Sequence, residues 1–537
     1  MGAPNVIRGV HPDQRFFLPL DIRDLLPKDD ISYIIIQILK ILDLTEFTKK
    51  YRQDGRGGAY FDPICMVGIL LLAAWNGDRS SRKIERECKK DAQYWIVGHW
   101  IKPDHSTIFR FKQQYATQLK GIFNQFSRML IDSGATKVDL LALDGTKMPA
   151  NASLEANRTA AWLSNHLETE FDDGLKQDMQ QEGSTKTNQI PGQVSEAEST
   201  DNTHTQQYQT AFKKLEERQL EVISEKEQQM SERKEEEEAS GKNKPGPKLQ
   251  IPSQEPPSEA KVNLTDPESQ IMKSRHGFIQ GYNVQVMTNQ DQFILGLSVT
   301  DDQNDINQFI PMVEEIKPLV EDSESYSDII ILADTGYFST KNVLSEEEDG
   351  PKFIIAPKKL KKNVKPDSIG PILLEIDEFC RSQSKQTPAI PVIASMARFV
   401  YELYLDRDKP ANANEVARDV MTARCNSPSG KKMYDKRKYK IEPVFGQLKH
   451  NFRFNRFQGK GKVFCEGEIS VMALCMNICR AAKLGVLSKI ISNTQEMSNT
   501  TVPSDFTCST SQSNLSSYNR FFFFFVSGMQ SLSAIFR

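Results

Sequence analysis

Val138-Asp-Leu-Leu-Ala-Leu-Asp144-Gly145-Thr146 and Asp328-Ile-Ile-Ile-Leu-Ala-Asp334-Thr-Gly336 follow one pattern: a short apolar run closes on an aspartate, with a glycine just behind it. Apolar, β-prone runs bounded by turn formers predict buried strands, the first over 136–144 and the second over Ile329–Ala333. Glycine lets the chain turn away sharply, which leaves each carboxylate at a strand end, where ligand sites of α/β sheets form. A lone Asp-Gly usually does no more than begin a turn. Two such strand ends gain meaning from a third carboxylate far along the chain.

That third group is Glu442, in Tyr434-Asp-Lys-Arg437-Lys-Tyr-Lys-Ile-Glu442-Pro-Val-Phe-Gly-Gln-Leu-Lys449, a basic stretch with a helical pattern. On a continuous helix Glu442, Lys449 and Arg453 would share one face, setting a carboxylate beside two cations able to hold a nucleic-acid backbone. Alone, the stretch would read as a solvated basic helix with one salt-bridging glutamate. Joined to Asp144 and Asp334, it is what a nuclease or strand-transfer enzyme needs to hold two divalent metals against a phosphodiester. Between the two aspartates, Gly277 to Val286 alternates as a strand and Gln292 to Thr300 reads as its hairpin partner. Asp302 to Val320 reads as a helix and Lys352 to Ala356 as a further strand. Strand, hairpin, helix, strand, helix, strand is the element order of a ribonuclease-H-like mixed sheet flanked by helices, so the expected class is α/β.

Total charge says little, since 68 Lys+Arg against 71 Asp+Glu leaves −3. Its distribution says more. Lys431 to Lys462 holds eleven Lys/Arg against two Asp/Glu, and Ala211 to Ser240 six against ten. A basic working face and an acidic segment elsewhere follow. The eight cysteines show no zinc spacing, and Cys475 and Cys479 lie one helical turn apart in an apolar segment, as reduced core residues do. The first residues lack a charged start with an apolar signal core, and Met66 to Ala74 is too short to span a bilayer. A soluble cytoplasmic, nucleoid-associated protein with no membrane partner is expected.

Residues 1–130 read as a helical domain. Ile31 to Leu42 has helical spacing, Asp62-Pro63 opens a helix through Trp75, and Asn76-Gly77 stops it. Ser80-Ser81 can cap a helix to Lys90, and Asp104 or Ser106 a further one to about Leu130, with Arg110 and Lys112 in its first turns. Short helices before a basic, hydroxyl-rich one resemble a helix-turn-helix, and a helical bundle with a solvated basic face has the same pattern. Residues 136–485 read as the catalytic domain with two insertions. The one at 165–260 is charged and expected to be partly disordered, with a solvated helix from Gln206 to Glu238 favoured over a dimer zipper. The one at 360–430 is Pro-rich and helical, Ile469 to Leu484 should pack on the sheet, and 488–537 is a low-complexity tail ending in Phe521 to Phe525.

The basic stretch resembles the DDE transposases of bacterial insertion sequences, in the group named for a Tyr-Arg-Glu-Lys signature. Tyr434 and Arg437 have two residues between them and Glu442 and Lys449 six, as in that signature, while Arg437 and Glu442 are separated by four rather than three. Ser80 to Glu85 and Pro103 to Arg110 resemble the family's N-terminal helices, Lys273 to Val286 its second strand, and Ala333 to Phe338 the block around its second aspartate. The resemblance implies a catalytic domain that binds two Mg²⁺ (Mn²⁺ substituting) through Asp144, Asp334 and Glu442. It also implies cleavage at element ends and strand transfer into target DNA. Tyr434, Arg437, Lys449 and Arg453 would grip DNA, and the N-terminal helices, with Arg110 and Lys112, would read terminal inverted repeats of double-stranded DNA. A homodimer would hold the two ends. A catalytically silent DNA-binding relative and a simple nuclease of the same fold are the competing expectations.

Overall fold

The computed structural model describes residues 21–49, 60–169, 196–240, 250–275, 277–320, 326–347, 349–357 and 413–500. The chain divides into two compact units, Met1–Gln114 with Ala481–Arg537, and Tyr115–Arg480.

The first unit is helical: α1 (Ile31–Ile41), α2 (Thr45–Thr48), α3 (Pro63–Trp75), α4 (Ser81–Lys90), α5 (Ala92–Val97) and α6 (His105–Gln114). Helices α1, α3 and α6 are capped by aspartates that precede them, whereas Ser80, expected to cap α4, makes no side-chain cap hydrogen bond. The carboxylates of Asp30, Asp62 and Asp104 accept from the backbone N–H of Ser32 (2.9 Å), Ile64 (2.8 Å) and Thr107 (2.6 Å). Pro63 opens α3, and Gly77, at φ +67°, closes the turn behind it. Helix α3 is buried from Cys65 to Ala74, as an all-apolar central helix must be.

The helix expected to run to about Leu130 is instead two. Tyr115, at φ −111° and ψ 21° with its ring fully buried, ends α6, and α7 (Ala116–Asp132) belongs to the second unit. The division therefore falls at residue 114 rather than near 130.

The second unit continues with β1 (Leu140–Pro149), β2 (Asn157–Thr159), α8 (160–169), α9 (Glu196–Ser240), β3 (Lys261–Asn263), β4 (Gln270–Ser274), β5 (Gly277–Asn289) and β6 (Ile294–Thr300). There follow α10 (Phe309–Val320), β7 (Ile330–Ala333), α11 (Thr340–Leu344), β8 (Lys352–Ile355), α12 (Ala413–Asn426), α13 (Pro428–Gly446) and α14 (Lys462–Leu484). A last helix, α15 (Leu487–Thr500), lies in the first unit and packs on α1. One six-stranded sheet runs β4-β5-β1-β7-β8, with β6 also on β5. β1 is antiparallel to β5 and parallel to β7, and β8 is parallel to β7. This mixed sheet flanked by helices is the ribonuclease-H-like arrangement expected. Gly281 lets β5 approach β1 closely, because a Cβ there would stand 2.3 Å from the Met148 carbonyl oxygen.

The expected insertion at 165–260 is anchored rather than loose. Ala160, Leu163, Ala211, Leu215 and Val262 form a small core of their own, and Gln219 donates to the Ser253 carbonyl at 2.7 Å. Leu220, just beyond, is already 57 % exposed, so the far part of α9 is the solvated helix anticipated. Residues 170–195 and 241–249, where disorder was expected, lie outside the described residues, as does most of 360–430. The described end of that second stretch belongs to the catalytic unit itself. Arg424 of α12 donates to buried Glu346 (2.7 Å) and to the Phe353 carbonyl (3.1 Å) on β8. Helix α14 packs on the sheet as expected, Asn477 exchanging hydrogen bonds with the backbone of Ile294. The Phe521 to Phe525 tail lies outside the described residues. No single described helix is long and apolar enough to cross a membrane.

Removing one partner of a buried ion pair strands the other charge, so Arg424→Ala should lower stability by about 3–5 kcal/mol in urea unfolding. Gly281→Ala should cost about 1–3 kcal/mol by the same measurement, because the Cβ meets backbone rather than a side chain that can move.

Candidate active site

The site begins where β1 and β7 part. Their last registered pair is Ala142 with Leu332, and Asp144 and Asp334 each lie two residues further on. Equal steps from a parallel pair direct both residues to one face of the sheet. Asp144 is not at the end of its strand as expected. β5 keeps pairing β1 to Pro149, with Val286 opposite Asp144, so only the β7 side of β1 is open there. Asp334 closes its strand, its Oδ1 accepting from Gly336 N–H at 2.7 Å, and Asp144 Oδ1 accepts from Gly145 N–H at 2.9 Å.

Helix α13 lies over this opening with Arg437, Ile441 and Val444 turned inward. Arg437 Nη1 stands 3.3 Å from Asp144 Oδ2, and its guanidinium carbon 5.9 Å from the Tyr434 ring. Tyr434 packs on Leu140, Leu332 and Ile354, so it shapes the wall of the site. The Asp144 carboxyl is pushed up to about 6. Burial is the main cause, Asp334 and Asp305 add to it, and Arg437 and the Gly145 N–H oppose it. Arg437 does not fully compensate, and its buried Nε and Nη1 have no hydrogen-bond partner.

Glu442 stands elsewhere. It is exposed, five residues past Arg437 and so about 140° around the helix, on the side of Asp435, Lys438 and Tyr439. The four-residue gap between Arg437 and Glu442 is the cause, since a three-residue gap would have stacked them. Nor does Glu442 share a face with Lys449 and Arg453. A π turn over Gln447–Asn451 changes the register, and Arg453 follows at φ +53°. Lys449 is half-buried and donates to Thr146 Oγ1 at 2.7 Å, two residues from Asp144, while Arg453 is exposed. In the helical unit Arg110 is exposed, whereas Lys112 is buried with its ammonium on the Arg79 carbonyl at 3.4 Å. His105 serves the start of α6, its ring 2.9 Å from Glu85 Oε2.

Sequence reasoning missed a polar group beneath the strand. Asn283 and Gln285, fully buried on β5, donate to Asp305 Oδ1 at 2.7 and 2.9 Å, and Tyr337 donates to Gln285. The Asp305 carboxylate fills the space that a Gly145 side chain would take. Polar residues at alternate positions of an otherwise apolar strand, 282–287, were the available signal. Among the described residues no three Asp, Glu, His or Cys side chains converge closely enough to hold a metal ion.

A mixed ribonuclease-H-like sheet with two carboxylates beneath a basic helix, in a chain that also carries a helical unit, is the architecture of the DDE class. A family model described as a transposase DDE domain matches residues 209–478, and one described as a transposase domain matches 20–114. The chain belongs to the DDE transposase family, whose role is DNA transposition and whose members generally use divalent metal ions. Neither curated proteins nor solved structures give a match. The first model covers Asp334, Arg437, Glu442 and Lys449, and Asp144 lies ahead of it.

Because Asp144 binds its proton more tightly folded than unfolded, its contribution to stability is full below about pH 4 and is lost as pH rises through about 6. Arg437 opposes that rise, so Arg437→Gln should move the Asp144 carboxyl further up, read by carboxyl-carbon NMR titration. No movement, or a fall, would remove Arg437 as its counter-charge.

Proposed function

We propose that the chain cleaves DNA at the ends of an insertion sequence in a metal-dependent reaction and transfers the freed 3′ ends into target DNA. The observation that carries this reading is the register of Asp144 and Asp334, which sets two carboxylates side by side at an opening of the sheet. Such hard oxygen donors suit Mg²⁺, which usually takes one or two carboxylates and keeps several waters. The burial and mutual repulsion that raise Asp144 are relieved by a cation. Asp144 and Asp334 would hold Mg²⁺ (two ions, Mn²⁺ substituting), and the bound cation supplies activation of the attacking oxygen and neutralisation of the leaving one.

The protein's own groups orient the strand. Arg437, ion-paired to Asp144 through Nη1, has a buried Nε without a hydrogen-bond partner, a donor suited to a phosphate oxygen. Lys449, held at Thr146, adds a point charge along the same strand. Glu442 is the third carboxylate of this reading, and reaching the aspartates requires α13 to turn about its axis when metal or DNA binds. Two copies would bring the two ends of the element together.

Asp334→Asn should lower Mg²⁺-dependent cleavage of DNA carrying the element's ends on the order of 10³-fold or more, with binding retained. Glu442→Ala should do the same, and equal activity in that variant would remove Glu442 and leave the aspartates. The exposed position of Glu442 favours a second reading, a DNA-binding relative without chemistry, which predicts binding but no cleavage by the wild-type protein. Lys449→Ala should reduce the slope of log affinity against log salt by about 0.9 on the same DNA.

A further inference from the structure

The β4–β5 hairpin takes no part in the chemistry just described, yet it carries the features of a contact surface. Its strands pair Lys273 with Phe278 and Ser274 with Gly277, and Gly277 at φ +113° supplies the turn. Lys273 and Arg275 are exposed, and so is the Phe278 ring, at 65 %. A single exposed ring would need no explanation. Its position between two cations is different, because neither Lys273 nor Arg275 has a carboxylate partner among the described residues.

The same absence extends to Lys449. Its one recorded partner is the Thr146 hydroxyl, and its ammonium is held below the ordinary value by burial and then by the positive charge of Arg275. Lys449 and Arg275 repel one another, and neither has a carboxylate partner among the described residues, so an anion would be favoured between them. β5 joins the two places. Val284 lies opposite Thr146, and Phe278 is six residues back along the same strand. The hairpin is thus continuous with the strand that passes the site, and the Arg275 charge is within reach of Lys449.

We propose that the β4–β5 hairpin is a DNA-binding finger: Lys273 and Arg275 take phosphates of the duplex whose bond is cut at Asp144 and Asp334, and Phe278 enters the groove between them. The inference rests on the reading of DNA as substrate. Phosphate contacts fix position and carry no sequence information, so the finger would seat any duplex at a set distance from the site.

The test is the salt dependence of binding of the full chain to a labelled 40-bp duplex of mixed sequence. Lys273→Ala with Arg275→Ala should reduce the slope by about two. Phe278→Ala should weaken binding about fivefold or more and leave the slope alone. Lys213→Ala with Lys214→Ala, on α9, removes the same charge elsewhere and should leave the slope unchanged. An unchanged slope in the hairpin variant, or an equal drop in the α9 control, would overturn the finger while leaving DNA as the substrate. Wild-type protein that fails to bind the duplex at low salt would sink both readings together. The three hairpin residues are exposed, so thermal unfolding of each variant should match wild type and report that the fold is intact.

Discussion

The parallel register of β1 and β7 is the constraint on which the catalytic unit depends. It brings Asp144 and Asp334 abreast, and it does so with strands that are apolar before the charges begin. Leu141, Leu143, Ile331, Leu332 and Ala333 are buried almost completely. Each large side chain among them contributes on the order of 1.5–3 kcal/mol by leaving water, which offsets the cost of holding two carboxylates close together. The two carboxylates sit where the hydrophobic hold ends, two residues beyond the last registered pair. Burial raises the Asp144 carboxyl, Asp334 adds to the rise, and Arg437 opposes both without cancelling them.

Most of the fold was legible because its signals are local. Asp30, Asp62 and Asp104 cap the helices they precede, Pro63 and Gly77 bound α3, and 330–333 is a strand with nothing but apolar residues. What local signals cannot carry is which neighbour a residue meets. Asp144 reads as a strand end because glycine follows it, yet the strand continues, since β5 supplies partners as far as Pro149. Tyr115 breaks a continuous helical pattern because its ring is drawn into a core. The polar stretch from 165 to 260 hid Ala211 and Leu215, which meet Ala160, Leu163 and Val262 from either side of it in space.

The candidate residues were legible as types, and the part missed has one physical origin. Sequence pattern picks out Asp144, Asp334, Arg437 and Glu442 as candidates, but faces are set by helix phase. One extra residue between Arg437 and Glu442 turns the glutamate to solvent, and a π turn before Lys449 breaks the run that would have joined it to Arg453. Lys112 looked like a surface cation and proves to be buried on a carbonyl. Asp305, in the connection after β6, was passed over because its partners Asn283 and Gln285 lie on β5.

The register of β1 and β7 also separates what this chain can lose from what it can gain. Between Asp144 and Asp334 lie two strands of a small accessory pair, a 45-residue helix and stretches beyond description, all added in connections. A strand cannot absorb even one extra residue ahead of its aspartate, because a single step reverses every side chain between the faces of the sheet. A connection can absorb a hundred, since closing a longer loop costs little more than closing a short one. Lineages built on this sheet are therefore free to vary the distance in sequence between their acidic residues, while the count of residues from the last strand pair to each acid stays fixed.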